Sequence, residues 1–270
     1  MSSDHAPWTE RKSLLALPDG RTLAYVRRPA DGPVLVLLHG YTDTSRSYER
    51  LASLLDGYTL VIPDLPGHGA SSARLTEGCS GFAEDVEALL DRLDIGRCSL
   101  VGHSMGGVVG TDLAARLGKR AAGLVLLASS LRPRLPEEGA IARGIRAFSD
   151  PIDPADPFFD EWHHCVHPVD PKFLAHARRE AAAMPATVWR RVFKGLADTD
   201  MTSSASRVSC PVVCLGGGDD PLFGAEHQAA LLSAFPDAEG EILAGHGHNL
   251  HWEDPDGIAV RIHSFLARTR

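Results

Sequence analysis

Cysteine is scarce in this chain of 270 residues: Cys79, Cys98, Cys165, Cys210 and Cys214 are an odd set at irregular spacings. That argues against a disulfide framework and fits reduced thiols in a cytoplasmic protein, with the five serving as small packing residues. Long apolar runs are missing, so no transmembrane helix is expected. Positive charge is in the minority, 27 Lys and Arg against 35 Asp and Glu, for a net charge of −8. A chain without a basic face is not built for nucleic acid. The N-terminal stretch Met1 to Lys12 is polar and lacks the basic-then-apolar layout of a secretion signal. Internal repeats, low-complexity tracts and flexible interdomain linkers are also absent.

Two site signatures are missing as well. The glycines near Ser104 and Gly216 do not make the Gly-x-Gly-x-x-Gly of a dinucleotide turn. His163, His164, Cys165 and His167 stand close together but without the paired spacing of a structural zinc site. The expectation is therefore no metal and no cofactor, with a small molecule as partner, no membrane or nucleic acid, and a monomer or homodimer.

What is present is an ordinary globular composition, 44% hydrophobic and 23% charged, long enough for one large α/β domain. Ser13 to Leu17 and Arg21 to Arg28 read as strands joined at Pro18-Asp19-Gly20. Val34 to Leu38 is an uninterrupted apolar run, as in a strand buried on both faces. It leads into His39-Gly40-Tyr41-Thr42-Asp43. Arg46 to Leu55 reads as a helix capped by Ser45, and Tyr58 to Ile62 as another buried strand. The irregular loop Pro63-Asp64-Leu65-Pro66-Gly67-His68-Gly69-Ala70-Ser71-Ser72 follows. A helix covers about Gly81 to Leu93, with Phe82, Val86, Leu89, Leu90 and Leu93 at helical spacing. Cys98 to Val101, Gly123 to Ala128, Pro211 to Leu215 and Ala238 to Leu243 read as further strands. Helices are expected over Met105 to Leu117, Ala225 to Ala234, and from the last loop to about Arg268. Such alternation predicts a parallel sheet covered on both faces.

From about Leu131 to Arg207 the strand pattern stops. Pro171 to Ala183 and Pro185 to Ala197 each offer proline as a first helical residue. Phe148, Phe158, Phe159, Trp162, Phe173, Trp189 and Phe193 all fall here. The segment reads as a helical cap, 131–207, between core portions 1–130 and 208–270. Two or three of its aromatics, Trp162 among them, are expected to face a substrate pocket.

The chemistry centres on Gly102-His103-Ser104-Met105-Gly106, between the Cys98 strand and the Met105 helix. In a Gly-x-Ser-x-Gly turn the serine sits in a strained conformation with its hydroxyl exposed, and the glycines avoid collisions across the turn. The helix that follows aims its N–H groups at whatever bonds to that oxygen. Serine needs a base, and the base needs an acid to orient it. The candidates downstream are Asp219 or Asp220 and His246, His248 or His251. The N–H of Met105, next to the nucleophile, is one oxyanion donor.

Leu38-His39-Gly40-Tyr41, Pro63 to Gly69, Gly102 to Gly106 and Gly247 to Pro255, in this order, resemble the α/β-hydrolase superfamily, in its cap-bearing branch of esterase-like and carbon–carbon-bond hydrolases. The resemblance implies a mostly parallel eight-stranded sheet flanked by helices, with a helical cap insertion. It implies a triad of Ser104, Asp220 and His248. His248 has Glu253 five positions on and Pro255 seven on, and Gly217 to Asp220-Pro221 fits the pattern of the acid better than Gly216 to Asp219. It implies a second oxyanion N–H from Tyr41, and shaping roles for His39, Asp64 and His68. The expected function is hydrolysis of small or medium carboxylic esters through an acyl-serine. A lactone or carbon–carbon-bond hydrolase with the same triad, or a ligand-binding protein on the same fold, are the alternatives.

Overall fold

The computed structural model describes residues 7–74, 78–79, 81–235 and 237–269; residues 1–6 of the polar N-terminal stretch lie outside them. Eight strands form one sheet: β1 (Lys12–Ala16), β2 (Thr22–Arg28), β3 (Val34–Leu38), β4 (Thr59–Pro63), β5 (Cys98–His103), β6 (Ala121–Leu127), β7 (Val212–Gly217) and β8 (Glu239–Leu243). Their spatial order is β1-β2-β4-β3-β5-β6-β7-β8. The pairs β1–β2 and β2–β4 are antiparallel and the rest parallel.

The apolar runs are continuous because both faces are covered. Leu35 and Leu37 join Val101, Val125 and Leu127 in one cluster, while Val36 and Leu38 join Leu100, Leu124 and Leu126 in the other. The helices are α1 (Glu49–Leu54), α2 (Phe82–Arg92), α3 (Met105–Leu117), α4 (Ala140–Ala147), α5 (Phe158–Trp162), α6 (Pro171–Ala183), α7 (Ala186–Ala197), α8 (Thr202–Ala205), α9 (Ala225–Ala234), α10 (Leu250–Glu253) and α11 (Pro255–Arg268). Leu51 of α1 and Ile258, Ile262 and Phe265 of α11 pack on one face. Phe82, Val86 and Leu89 of α2, Val109 and Leu113 of α3 and Leu231 of α9 pack on the other.

After β3 the chain turns to β4 on one side, and after β4 it crosses to β5 on the other. The loops leaving β3 and β5 therefore diverge from adjacent strand ends, where open α/β sheets form a crevice. Helices α4 to α8 are all inserted between β6 and β7. Strand β8 is an edge, and its exposed Glu239 and Glu241 pair with Arg268 and Arg261 of α11, which discourages a further strand from adding there.

Two local expectations change. The segment expected as one helix from Arg46 begins as a 3-10 turn, Ser45–Tyr48, before α1, and its cap is Thr44, whose side chain accepts from the Arg46 N–H at 3.2 Å. Ser45 is spent on tertiary partners: its Oγ accepts from Trp8 Nε1 and its N–H donates to Asp64. Pro185 stands just outside α7, with an extended ψ of 140°, whereas Pro171 does open α6 behind an Asp170 cap. Among the described residues no helix is long and apolar enough to cross a membrane.

Candidate active site

Ser104 joins β5 to α3 at φ 51° and ψ −118°, a left-handed conformation that non-glycine residues avoid. Its surroundings hold it there. The Ser104 N–H donates to the Leu127 carbonyl at 2.9 Å, and its own carbonyl accepts from Ser129 Oγ at 2.8 Å. A methyl group on Gly106 would run into the Leu38 carbonyl, and one on Gly102 into the Gly106 carbonyl. The glycines thus permit the close approach that the turn needs.

Asp220 and His248 follow β7 and β8, so three strand ends converge. His248 Nδ1 lies 2.9 Å from Asp220 Oδ2. The other oxygen of Asp220 accepts from the Leu222 and Phe223 N–H groups at 2.8 and 3.0 Å. Burial works against the charge of Asp220, but His248 and those N–H donors outweigh it and hold its pKa below the usual value. Asp219 is exposed and does not meet His248; its N–H donates to the His246 carbonyl. With Nδ1–H given to Asp220, Nε2 of His248 is left to accept a proton. Ser104 and His248 line one cavity of about 40 Å³.

The remaining histidines take other places. His246 Nδ1 meets the Ala244 carbonyl and its Nε2 lies 3.6 Å from Asp254. His251 is buried, with Nε2 2.8 Å from Ser47 Oγ. His103 has its Nε2 3.0 Å from the His248 carbonyl, and its ring lies between those of His248 and His251 at 4.9 and 4.3 Å. Burial lowers the pKa of both His103 and His251. His39 accepts from the Leu65 N–H, and Asp64 accepts from the N–H groups of Ser45 and Ala70, so both shape loops. His68 is likewise tied locally, with Nδ1 3.0 Å from the Pro66 carbonyl.

Tyr41 lines the cavity, and its hydroxyl donates to the Trp189 carbonyl at 2.6 Å. Met105 opens α3, where the first N–H groups have no partner inside the helix. Trp162 lines the cavity with Phe193, and its Nε1 donates to Thr42 Oγ1 at 2.8 Å. Phe148, Phe159 and Trp189 pack among themselves, and Phe173 packs against Trp252. Among the described residues no group of three or more His, Cys, Asp or Glu is placed to hold a metal ion.

A clamp on the His248 loop has no signature of its own in the sequence. Glu253 Oε2 accepts from the Gly247 N–H at 2.9 Å, and its Oε1 accepts from the Val166 N–H of the insertion at 3.2 Å. On the other side of His248, Asn249 Nδ2 reaches the His164 carbonyl at 3.5 Å. The fixed interval from His248 to Glu253 marks the loop, but nothing local announces its partner Val166. Asp43 and His163 also line the cavity, although the sequence marks one only as part of the loop after β3 and the other only in the His163 to His167 cluster.

A family model described as "Alpha/beta hydrolase family" matches residues 35–261. A protein of Pseudomonas syringae pv. syringae (strain B728a) named "Putative carbamate hydrolase RutD" is 28% identical over 251 residues, covering 88% of this chain and 95% of its own. The "Magnesium-chelatase 30 kDa subunit" of Rhodobacter capsulatus is 42% identical over 89 residues; that match spans 32% of this chain and 31% of the relative. Among solved structures, a hydrolase from Pseudomonas aeruginosa PA01 superposes with a TM-score of 0.80 at 26% identity, over 94% of this chain and 98% of that one.

Proposed function

Since the chain belongs to the α/β-hydrolase family, we propose that it is a serine hydrolase of small or medium carboxylic esters acting through an acyl-serine. The observation that carries this reading is the Asp220–His248 bond of 2.9 Å beside a strained Ser104 on the same cavity. His248 Nε2 takes the proton of Ser104 Oγ as that oxygen attacks the ester carbonyl. The negative oxygen of the tetrahedral intermediate is held by the N–H groups of Tyr41 and Met105. The imidazolium, steadied by Asp220, protonates the departing alcohol. Water, activated by the same histidine, then releases the acid.

The segment 131–207 acts as the cap. It supplies Leu135, Ile141, Trp162, His163, Phe193 and Leu196 to the wall of the cavity that Ser104 and His248 share. Trp162 and Phe193 then bear on substrate size.

Cleavage of a carbamate is the second reading, favoured by the likeness to the named carbamate hydrolase over 88% of this chain. The same attack and the same oxyanion stabilisation serve both. Turnover of a chromogenic ester, with the Ser104→Ala protein as the blank, tests the proposal. Equal rates from the two proteins would refute it, and a carbamate turned over faster than its matched ester would select the second reading.

A further inference from the structure

The residues lining the cavity divide by chemistry. Leu135, Ile141, Leu196, Leu222 and Phe223 are apolar. The polar tips of its aromatic residues are already engaged: Tyr41 with the Trp189 carbonyl, Trp162 with Thr42 and Trp252 with Ser47. Apart from Ser104, His248 and Asn249, three polar side chains of the lining keep unused capacity: His103, whose buried Nδ1 has no hydrogen-bond partner among the described residues, His163 and Asp43.

His163 is 4% exposed, and among the described residues neither of its ring nitrogens has a hydrogen-bond partner. The ring is held by stacking on Phe159 at 5.7 Å and by Trp252 at 5.8 Å. A phenyl ring would fill that space without leaving two polar atoms unsatisfied, which costs about 1–3 kcal/mol per group. Burial drives its pKa down to about 4, so near neutral pH one nitrogen donates and the other accepts.

Asp43 has a side chain 7% exposed, and the hydrogen bonds found to its carboxylate among the described residues reach Oδ2 alone, from Ser47 Oγ at 3.2 Å. His103 Nδ1 stands 3.8 Å from the same oxygen. Burial opposes the charge, but the facing His103 side chain leads the groups that outweigh it and keep the pKa below the usual value. Asp43 is therefore an anion that can only accept.

We propose that Asp43 and His163 form a subsite for a hydrogen-bond donor on the substrate, a hydroxyl or an N–H, carried by the part of the molecule lodged in the cavity. A hydroxyl serves both residues at once, giving its proton to Asp43 and taking a bond from His163. An N–H serves Asp43. A carboxylate in the same place meets the charge of Asp43 and is rejected. The inference deepens the hydrolase reading and rests on it.

The test compares phenyl butanoate, its 2-hydroxy and 3-hydroxy analogues and the phenyl monoester of succinate, by kcat/KM. The proteins are the unaltered chain, Asp43→Asn and His163→Phe. In parallel, binding of the same esters to Ser104→Ala protein is followed by quenching of tryptophan fluorescence. At least one hydroxy ester is expected to exceed phenyl butanoate by roughly tenfold or more, the size of a hydrogen bond to a charged group. That ratio falls toward one in both variants, and the succinate monoester, poorest with the unaltered chain, gains with Asp43→Asn. A ratio near one in the unaltered chain overturns the subsite whether or not the variants fold, and so does a ratio that survives both substitutions. If no ester is cleaved but Ser104→Ala protein still prefers a hydroxy ester, the hydrolase reading fails and the subsite stands. If there is neither cleavage nor preference in binding, both fail.

Discussion

At the scale of single residues, Asp219 and Asp220 differ more than their adjacency suggests. One is exposed and the other is buried, with both oxygens engaged, one by His248 and one by backbone N–H groups. Asp220→Asn is expected to lower kcat by roughly 10⁴, as loss of a triad carboxylate does, while Asp219→Asn leaves it within a few-fold. Steady-state kinetics on a chromogenic ester checks this, and the reverse ranking would return the acid to Asp219. Ser104→Ala and His248→Ala should each lose several orders of magnitude without loss of folding, because the members of the proposed triad act as a unit. His246→Ala should retain activity, since its ring is tied to the Ala244 carbonyl and lies near Asp254.

At the scale of elements, the insertion and the last loop are joined next to His248, the proposed base. Glu253 binds the N–H groups of Gly247 and Val166, so it fixes the residue before His248 and a residue of the insertion with one carboxylate. Glu253→Ala should let the loop drift and lower kcat by roughly ten- to a hundredfold, as a misplacement of about 1 Å does. Thermal unfolding should show the variant still folded, and unchanged kcat would mean the clamp does not position His248. The two cavity aromatics of the insertion should behave differently. Phe193 makes only ring and apolar contacts there, so Phe193→Ala is expected to raise KM for small esters and leave kcat nearly unchanged. Trp162 also holds Thr42, a non-glycine residue at φ 69° beside the proposed oxyanion donor Tyr41. Trp162→Ala should therefore lower kcat as well, and a pure KM effect would show that this brace is unimportant.

For the whole molecule, the buried histidines predict how stability responds to acid. His68 and His163 titrate at about 3 and about 4 in the folded chain because burial disfavours their charge, against about 6.5 when unfolded. Above pH 6.5 both states are neutral. Below it the unfolded chain takes up protons that the folded chain refuses, so stability falls as pH drops from 6.5 through 4 and 3. At pH 5 each of the two costs about 2 kcal/mol. The lowered carboxylates Asp43, Asp64 and Asp220 act later, since their contribution is present above pH 3.8 and is lost as pH falls further. Urea unfolding at pH 7.5 and 5.0 measures the drop, and His163→Phe should shrink it by about 2 kcal/mol. An undiminished drop would mean that His163 is not held neutral by burial.

Local chemistry made much of this legible in advance. The unbroken run Val34–Leu38, the strand–turn–helix around Ser104 and the helices 105–117, 171–183 and 225–234 follow from periodicity and from where glycine and proline stand, which act within a few residues. Choices between neighbours were settled by distant partners. Thr44 rather than Ser45 caps its turn because Trp8 and Asp64 claim Ser45. Asp220 rather than Asp219 meets His248 because β7 and β8 end side by side with one of the two turned inward. Trp162 and Phe193 reach the cavity while Phe173 does not, since helix phase is set by what each helix packs against. The placing of Asp43 and His163 on one cavity is the extreme case. The local patterns around them, the loop after β3 and the His163 to His167 cluster, do not point to each other, and only the crossing of the chain from β3 to the insertion after β6 brings a carboxylate and an imidazole to one cavity.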